Sequence, residues 1–390
     1  MAHRFPEDRA ELRATLLAKV ESVREVVEAC ADEAEELRTL PRKAVDAIAE
    51  TGLFMMKAPR EVGGGEADPV TQIVVIEAMA RMDTSAGWTT MIGAGAASMA
   101  TAFLSDGAIR EIFGQGRPPR FAASARPMGM AVPCEGGYMV NGRWPYASGV
   151  LHADWITAGV NVANADNPTG RRVLVVPTSS VTIHDNWHVA GLKGTGSCDF
   201  SLEDLFVPQE FTCDVFNDQL VRGGPLYRIR VPGALTSEHS GFALGAGRRA
   251  LDEIADLAQA KARGIPPSRL IDRGVFQHFV GEADLRLKAA RSLVIEAHER
   301  AWHTACAGEP VSVEMHVEMR GSAAYATQVA LDIASQGFQY AGASALYSNS
   351  VIQRCFRDLA AAAQHQMVST SAYESHGRVR LGFEGVNPML

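Results

Sequence analysis

The segment Ile352-Gln-Arg-Cys-Phe-Arg-Asp-Leu-Ala-Ala-Ala-Ala-Gln-His-Gln-Met-Val368 sets an arginine, an acid and a histidine around a run of alanines. No glycine or proline interrupts it, and the alanine-rich middle predicts one helix through Val368. At helical spacing Arg354, Asp358, Ala361 or Ala362, and His365 share a face. A wall of small side chains leaves space for a flat group, and a histidine at its end can move a proton near neutral pH. Taken alone, His365 reads more simply as a satisfied core histidine. The case for chemistry rests on the rest of the chain.

The chain has 390 residues, 47% hydrophobic and 21% charged, which is ordinary globular composition. That length implies about two or three packed units. The net charge is -8 and no Lys/Arg block occurs, which argues against nucleic acid or an anionic membrane as partner. The six cysteines, Cys30, Cys134, Cys198, Cys213, Cys306 and Cys355, show no CxxC spacing. This argues against a metal site or disulfide framework and suits a reducing cytoplasm. The first residues carry no apolar signal segment. The uncharged run Thr84 to Ser105 is rich in Gly, Ser, Thr and Ala, so it predicts a buried helix and not a membrane span.

Helical periodicity covers Glu7 to Leu37, Pro41 to Ile48 before Gly52, Pro69 to Arg81, Thr84 to Ser105 and Asp106 to Phe113. Between Pro59 and Pro69 a glycine cluster lacks the GK[ST] and the leading strand of a phosphate loop, so that reading is weak. Strands are expected at Met128–Val132, Tyr138–Val140, Arg143–Tyr146, Trp155–Val162, Arg172–Val176, Val181–His184 and Phe200–Phe206. Asn141-Gly142 predicts a two-residue hairpin. Long helices follow at Ala234–Ala262, Arg273–Ala307, Val311–Ala341 and Ser348–Gly377, joined as an antiparallel bundle. The reading is an α+β multi-domain chain: an N-terminal α-helical domain (1–118), a middle β-barrel or sandwich (119–230) and a C-terminal four-helix bundle (231–390).

That order resembles the acyl-CoA dehydrogenase superfamily over nearly the whole chain. Gly136-Gly-Tyr-Met-Val-Asn-Gly-Arg-Trp-Pro-Tyr-Ala-Ser-Gly149 resembles the family's hairpin beside the flavin, Leu205-Phe-Val-Pro208 its barrel exit, and Gln353-Arg-Cys-Phe-Arg-Asp358 the start of its last bundle helix. Further fragments are similar to one branch, the two-component flavin-dependent monooxygenases (group D) that hydroxylate phenols and other aromatic compounds. They are Ser85-Ala-Gly-Trp88, Phe121-Ala-Ala-Ser124, Trp144 to Gly149, His152-Ala-Asp-Trp155, Trp187 to Ser197, and Ala363-Gln-His365.

A dehydrogenase of this fold needs a carboxylate base, but no Glu or Asp follows Asp358 before Glu374. His365 can act as base or hydrogen-bond a phenol, and the branch resembles this chain in placing a histidine there. The resemblance implies that reduced flavin, FMNH2 or FADH2, forms a C4a-hydroperoxide with O2, the cofactor carrying that chemistry. It implies Ser148 near flavin N5 and Ser124 at the ring edge and substrate. It further implies Tyr146, Ala147, Thr195, Ser197, Arg273 and Phe276 at the cofactor, and Trp88, Ala96 and His365 at the substrate. Without the resemblance, Ser148 is a turn serine and Ser124 an ordinary strand residue. Some aromatic hydroxylases of the branch carry a second histidine about two turns after Trp88; here Gly95, Ala96, Ala97 and Ser98 stand there. His152 and His188 read as structural sheet histidines.

The expected function is the oxygenase component of a two-component flavin-dependent monooxygenase acting on an aromatic or polycyclic small molecule. No GxGxxG follows a strand, so a separate NAD(P)H:flavin reductase would supply the reduced flavin, by diffusion. Rival readings are an FAD-dependent acyl-CoA dehydrogenase with a relocated base, an N- or S-oxygenating relative, and a non-catalytic flavin-binding or assembly subunit. Gly321, Ser322, Ala323, Ala324, Ala326 and Ala330 allow close helix approach, and with the resemblance they suggest a homotetramer.

Overall fold

The computed structural model describes residues 5–114, 116–164, 170–215 and 220–389. Seven helices come first: α1 (Arg9–Ser22), α2 (Arg24–Ala29), α3 (Ala31–Leu37), α4 (Arg42–Thr51), α5 (Pro69–Met82), α6 (Thr84–Phe103) and α7 (Asp106–Ile112). The continuous helix expected over Glu7–Leu37 is therefore three pieces. Pro41 precedes α4 and Gly52 ends it in the left-handed region at φ 82°. Asp68 caps α5 by accepting from the Val70 and Thr71 amides, and Pro69 takes the first turn. α6 is buried along most of its length. Among the described residues no helix is long and apolar enough to cross a membrane.

Seven strands follow: β1 (Phe121–Cys134), β2 (Gly137–Trp144), β3 (Trp155–Val162), β4 (Arg171–Pro177), β5 (Thr182–His184), β6 (Asp199–Pro208) and β7 (Thr212–Cys213). They form one sheet in the order β5-β6-β2-β1-β3-β4-β7. β1 runs parallel to β3, and the other neighbours are antiparallel. β1 begins at Phe121, earlier than its alternating Met128–Val132 stretch suggests, because bulges around Pro127 carry the strand past that residue.

The expected Asn141-Gly142 hairpin is not a turn. The two residues lie inside β2, which joins the expected strands Tyr138–Val140 and Arg143–Tyr146 up to Trp144. The β1–β2 turn falls at Glu135 and Gly136, with Gly136 at φ 78°. Gly142 is there for space: a Cβ on it would lie 2.6 Å from Gly129 Cα and 2.8 Å from the Trp144 ring. Trp144 is fully buried, stacks on Phe200 with centroids 5.1 Å apart, and donates from Nε1 to the Gly159 carbonyl at 2.6 Å.

The last helices are α8 (Gly233–Ala260), α9 (Gly274–Cys306), α10 (Val313–Ala341), α11 (Val351–Ala362) and α12 (Ser371–Arg380). α8 packs closely on α5: a Cβ at Gly245 would lie 2.2 Å from the Glu77 carbonyl oxygen. The small residues of α10 serve this chain's own packing, with Ala330 against Gly247 of α8 and Gly321 against His376 of α12. The fourth long helix expected at Ser348–Gly377 is α11 and α12, separated by a 3-10 turn at Gln366–Val368.

The chain divides into two compact units. One holds the described parts of Met1–Ala67, Trp88–His188 and Lys193–Tyr227; the other holds Asp68–Gly87, Val189–Leu192 and the described part of Arg228–Leu390. The first has a core centred on the sheet, including Trp144, Trp155 and Phe200. The second has a core between α8, α9 and α10, including Leu244, Phe276, Leu287 and Ile333.

Candidate active site

In the first unit, Pro145 ends β2 and the chain turns tightly. Tyr146 and Gly149 both have positive φ, 64° and 77°, and the Ser148 amide donates to the Tyr146 carbonyl at 3.0 Å. This turn is zipped to the Thr195–Cys198 strap. The Ala147 amide donates to the Cys198 carbonyl at 3.3 Å, and the Gly149 amide donates to the Thr195 carbonyl at 2.9 Å. The pairing lines up three hydroxyls. Ser148 Oγ is 2.7 Å from Ser197 Oγ, which is 2.6 Å from Thr195 Oγ1. Trp88 of α6 closes the line, its indole Nε1–H donating to Ser148 Oγ at 3.0 Å. All four residues are buried. Ala147, Ser148, Thr195 and Ser197, expected at the cofactor, are thus brought together with Trp88, expected at the substrate.

Ser124 on β1 donates from Oγ to the Pro145 carbonyl at 2.8 Å, which leaves its oxygen lone pairs as acceptors. Tyr146 is 68% exposed, and its ring meets Trp187 edge-on with centroids 6.3 Å apart. Ala96 is buried in the core of this unit. Thr89 Oγ1, one residue from Trp88, is buried with no hydrogen-bond partner among the described residues. The set of open aromatic rings, a hydroxyl line and an unsatisfied buried hydroxyl fits a flat heteroaromatic group with N–H and C=O edges.

In the second unit, α11 places Arg354 and Asp358 on its buried face, as expected. Asp358 Oδ1 accepts the Leu192 amide at 2.5 Å, and Oδ2 accepts the Thr84 hydroxyl. The helix stops at Ala362, however, and does not run to Val368. His365 has extended backbone (φ -71°, ψ 136°), and its Nδ1 accepts the Met367 amide at 3.3 Å, capping the 3-10 turn. The fully buried Arg320 of α10 holds that turn by donating to the Gln366 carbonyl at 3.1 Å and to Ser371 Oγ at 2.9 Å. Burial pushes the His365 imidazole down to about 4, so it is neutral at pH 7.

Arg273 caps the start of α9, its Nε donating to Ser268 Oγ at 3.1 Å. Phe276 is buried in the bundle core, against Tyr340 with centroids 5.2 Å apart. The glycine cluster at 63–65 binds no phosphate-like group through its amides: the Gly64 and Gly65 amides donate to the Pro59 and Met55 carbonyls. His152 and His188 lie in turns and not in strands. His152 ends a 3-10 turn, where burial, reinforced by the Arg120 charge, pushes its imidazole down to about 4. His188 Nε2 lies 3.2 Å from the Arg38 guanidinium, which is paired with Asp185.

Two residues escaped the sequence reading. Arg320 fixes the His365 turn from another helix. His239 of α8 is buried, and its ring faces His365 with centroids 4.3 Å apart and planes at 34°. The one sequence signal for it is the polar run Thr236-Ser-Glu-His-Ser240 in an otherwise buried helix.

Two family models match the chain: acyl-CoA dehydrogenase, N-terminal domain, over residues 7–108, and acyl-CoA dehydrogenase, C-terminal domain, over 237–370. The chain is 32% identical to the indole-3-acetate monooxygenase of Pseudomonas putida, over 90% of this chain and 89% of that protein. It is 28% identical to the flavin-dependent monooxygenase oxygenase subunit HsaA of Mycobacterium tuberculosis, over 90% and 91%. Among solved structures it is similar to XiaF from Streptomyces sp. in complex with FADH2 and glycerol. That similarity has a TM-score of 0.89 and 28% identity, covering 98% of each chain.

Proposed function

The chain belongs to the acyl-CoA dehydrogenase family, and from that premise we propose that it is the oxygenase component of a two-component flavin-dependent monooxygenase that hydroxylates an aromatic small molecule. The observation that carries this reading is His365. Where a dehydrogenase needs a carboxylate, the chain has a neutral imidazole on a turn braced by Arg320, and no acid follows Asp358 before Glu374. Relatives named as monooxygenases, and the likeness to a structure holding FADH2, support the same class.

Reduced FMN or FADH2, when bound, would activate O2 and supply one oxygen atom. The Trp88–Ser148–Ser197–Thr195 line would hold the flavin ring. Ser148 Oγ already accepts from Trp88, and with its own hydroxyl donated to Ser197 it would keep a lone pair to take an N–H and hold its proton in place. Ser124 would offer an acceptor to the ring edge. Tyr146 and Trp187 would cover the ring and exclude water, which suppresses loss of the activated oxygen as peroxide. His365 would orient the substrate, its ring held in place by the Met367 amide on Nδ1.

A separate flavin reductase is the partner that the oxygenase-component role implies, and transfer by diffusion is proposed. A homotetramer is proposed from the family alone, since the small residues of α10 are used within the chain. The experiment is incubation with a flavin reductase, NADH, 18O2 and a panel of aromatic compounds. One 18O atom in an aromatic product supports the proposal. No oxygenated product, together with bleaching of bound oxidised FAD by an acyl-CoA, overturns it in favour of the dehydrogenase reading.

A further inference from the structure

The Trp187–Ser197 stretch carries Trp187 on one limb and Thr195 and Ser197 on the other, and its apex is seated on α11. The apex, Val189–Leu192, and α11 belong to the same compact unit. Arg357 Nη1 donates to the Ala190 carbonyl, while Arg357 Nε donates to Gln353 Oε1 at 2.7 Å and steadies the guanidinium. Gly191 lies against the helix backbone, where a Cβ would fall 2.0 Å from the Arg357 carbonyl oxygen. Asp358 is fully buried; its Oδ1 accepts the Leu192 amide at 2.5 Å and its Oδ2 accepts the Thr84 hydroxyl. These contacts hold Leu192 at φ 55°, in the left-handed region. A leucine stays there only where its surroundings over-determine it.

We infer that Asp358 is a positioning residue for the flavin site: it holds the left-handed bend at Leu192, and the bend sets the path of the chain to Thr195 and Ser197. The inference rests on the function proposed above. Only Lys193 and Gly194 separate Leu192 from Thr195. Release of the bend therefore swings Thr195 on an arm of about 10 Å, and a swing of about 20° moves it by about 3 Å. The hydroxyl line does not tolerate that, because its contacts are 2.6 and 2.7 Å and a hydrogen bond fails beyond about 3.5 Å. The Ala147 and Gly149 amides hold the strap from its other side, so the loss is a weakening and not a collapse.

The same geometry accounts for the neighbours of the acid. Gly191 is required because the chain passes too close to α11 for a side chain. Arg357 takes the carbonyl that precedes the bend and Asp358 the amide that follows Gly191, so two consecutive helix residues fix both ends of one turn. An acid that only stabilised α11 would be indifferent to which hydroxyls the strap carries. A positioning acid is not, and that difference is measurable.

The test is anaerobic titration with FMNH2 of wild type, Asp358→Ala, Ser197→Ala and the double variant, beside trypsin cleavage after Lys193 in the flavin-free proteins. Asp358→Ala should weaken FMNH2 binding at least about tenfold. In the Ser197→Ala background the same substitution should cost less than about threefold, since the hydroxyl it positions is gone. Cleavage after Lys193 should rise at least about tenfold in Asp358→Ala, reporting the released bend without any flavin. Leu192→Gly adopts the left-handed bend without strain and should shrink the Asp358→Ala loss in both readouts. Wild-type FMNH2 affinity in Asp358→Ala, or an equal loss with and without Ser197, would overturn the inference. So would unchanged cleavage after Lys193. If Asp358→Ala does not fold, Gly191→Ala lifts the bend from α11 with the carboxylate intact and is read by the same criteria. Wild-type protein that takes up no FMNH2 overturns the functional proposal, and the positioning role with it. Normal FMNH2 uptake that is insensitive to Asp358 overturns the positioning role alone.

Discussion

Ser148→Ala and Trp88→Phe, singly and together, test whether the buried hydroxyl line is one cooperative unit. Ser148 Oγ lies 3.0 Å from the Trp88 indole nitrogen and 2.7 Å from Ser197 Oγ, and these residues are only 5%, 7% and 3% exposed. Removing the Ser148 oxygen leaves a buried indole N–H unpaired, which costs about 1–3 kcal/mol. Trp88→Phe removes the donor and some ring volume, a further loss of about 1–3 kcal/mol. With both replaced, no donor is stranded, so the double variant should be less destabilised than the sum by about 1 kcal/mol. Denaturant unfolding followed by far-UV circular dichroism, at one protein concentration, measures all four corners. Additivity within about 0.3–0.5 kcal/mol would refute the hydroxyl line as a coupled device. In turnover, Ser148→Ala should release more hydrogen peroxide per O2 consumed, since the proton-holding acceptor is gone.

Gly142→Ala should destabilise the protein by about 1–3 kcal/mol, because the new methyl meets Gly129 Cα at 2.6 Å and the Trp144 ring at 2.8 Å; a thermal melt at wild-type temperature would contradict this. Burial holds His298 down at about 4, against 6.5 when unfolded, so its neutral form favours the folded state above pH 6.5 and that stability is lost as pH falls toward 4. The loss is roughly 3 kcal/mol, and denaturation midpoints at pH 7 and 4.5 should show a smaller drop in His298→Gln than in wild type. His365→Ala should cut product on the order of 100-fold while reduced-flavin binding persists, and wild-type coupling would make His365 a core histidine.

The element order was legible because periodicity reports which face of each segment is buried, and family motifs then located Ser148, Ser197 and Trp88. The misses have local causes. Asn141-Gly142 has the composition of a hairpin, but the small residue is required by Trp144, a contact that spacing does not reveal. The alanine run predicted helix through Val368. α11 instead stops at Ala362, because His365 caps the following turn and Arg320 draws the Gln366 carbonyl toward itself from α10. His239 was invisible for a similar reason: its meaning depends on a ring from a distant segment and on which nitrogen the Leu235 carbonyl claims. Packing and tautomer are tertiary facts.

The central claim is that this chain works on flavin delivered in the reduced state. Anaerobic titration of the flavin-free protein with FMNH2 and FADH2, compared with FMN and FAD, tests it most directly. The absence of any acid between Asp358 and Glu374 and the Ser148 acceptor predict tighter binding of a reduced form, followed by peroxide or hydroxylated product when O2 is admitted. Tight retention of oxidised FAD, with reduction of that FAD by an acyl-CoA thioester, would contradict it.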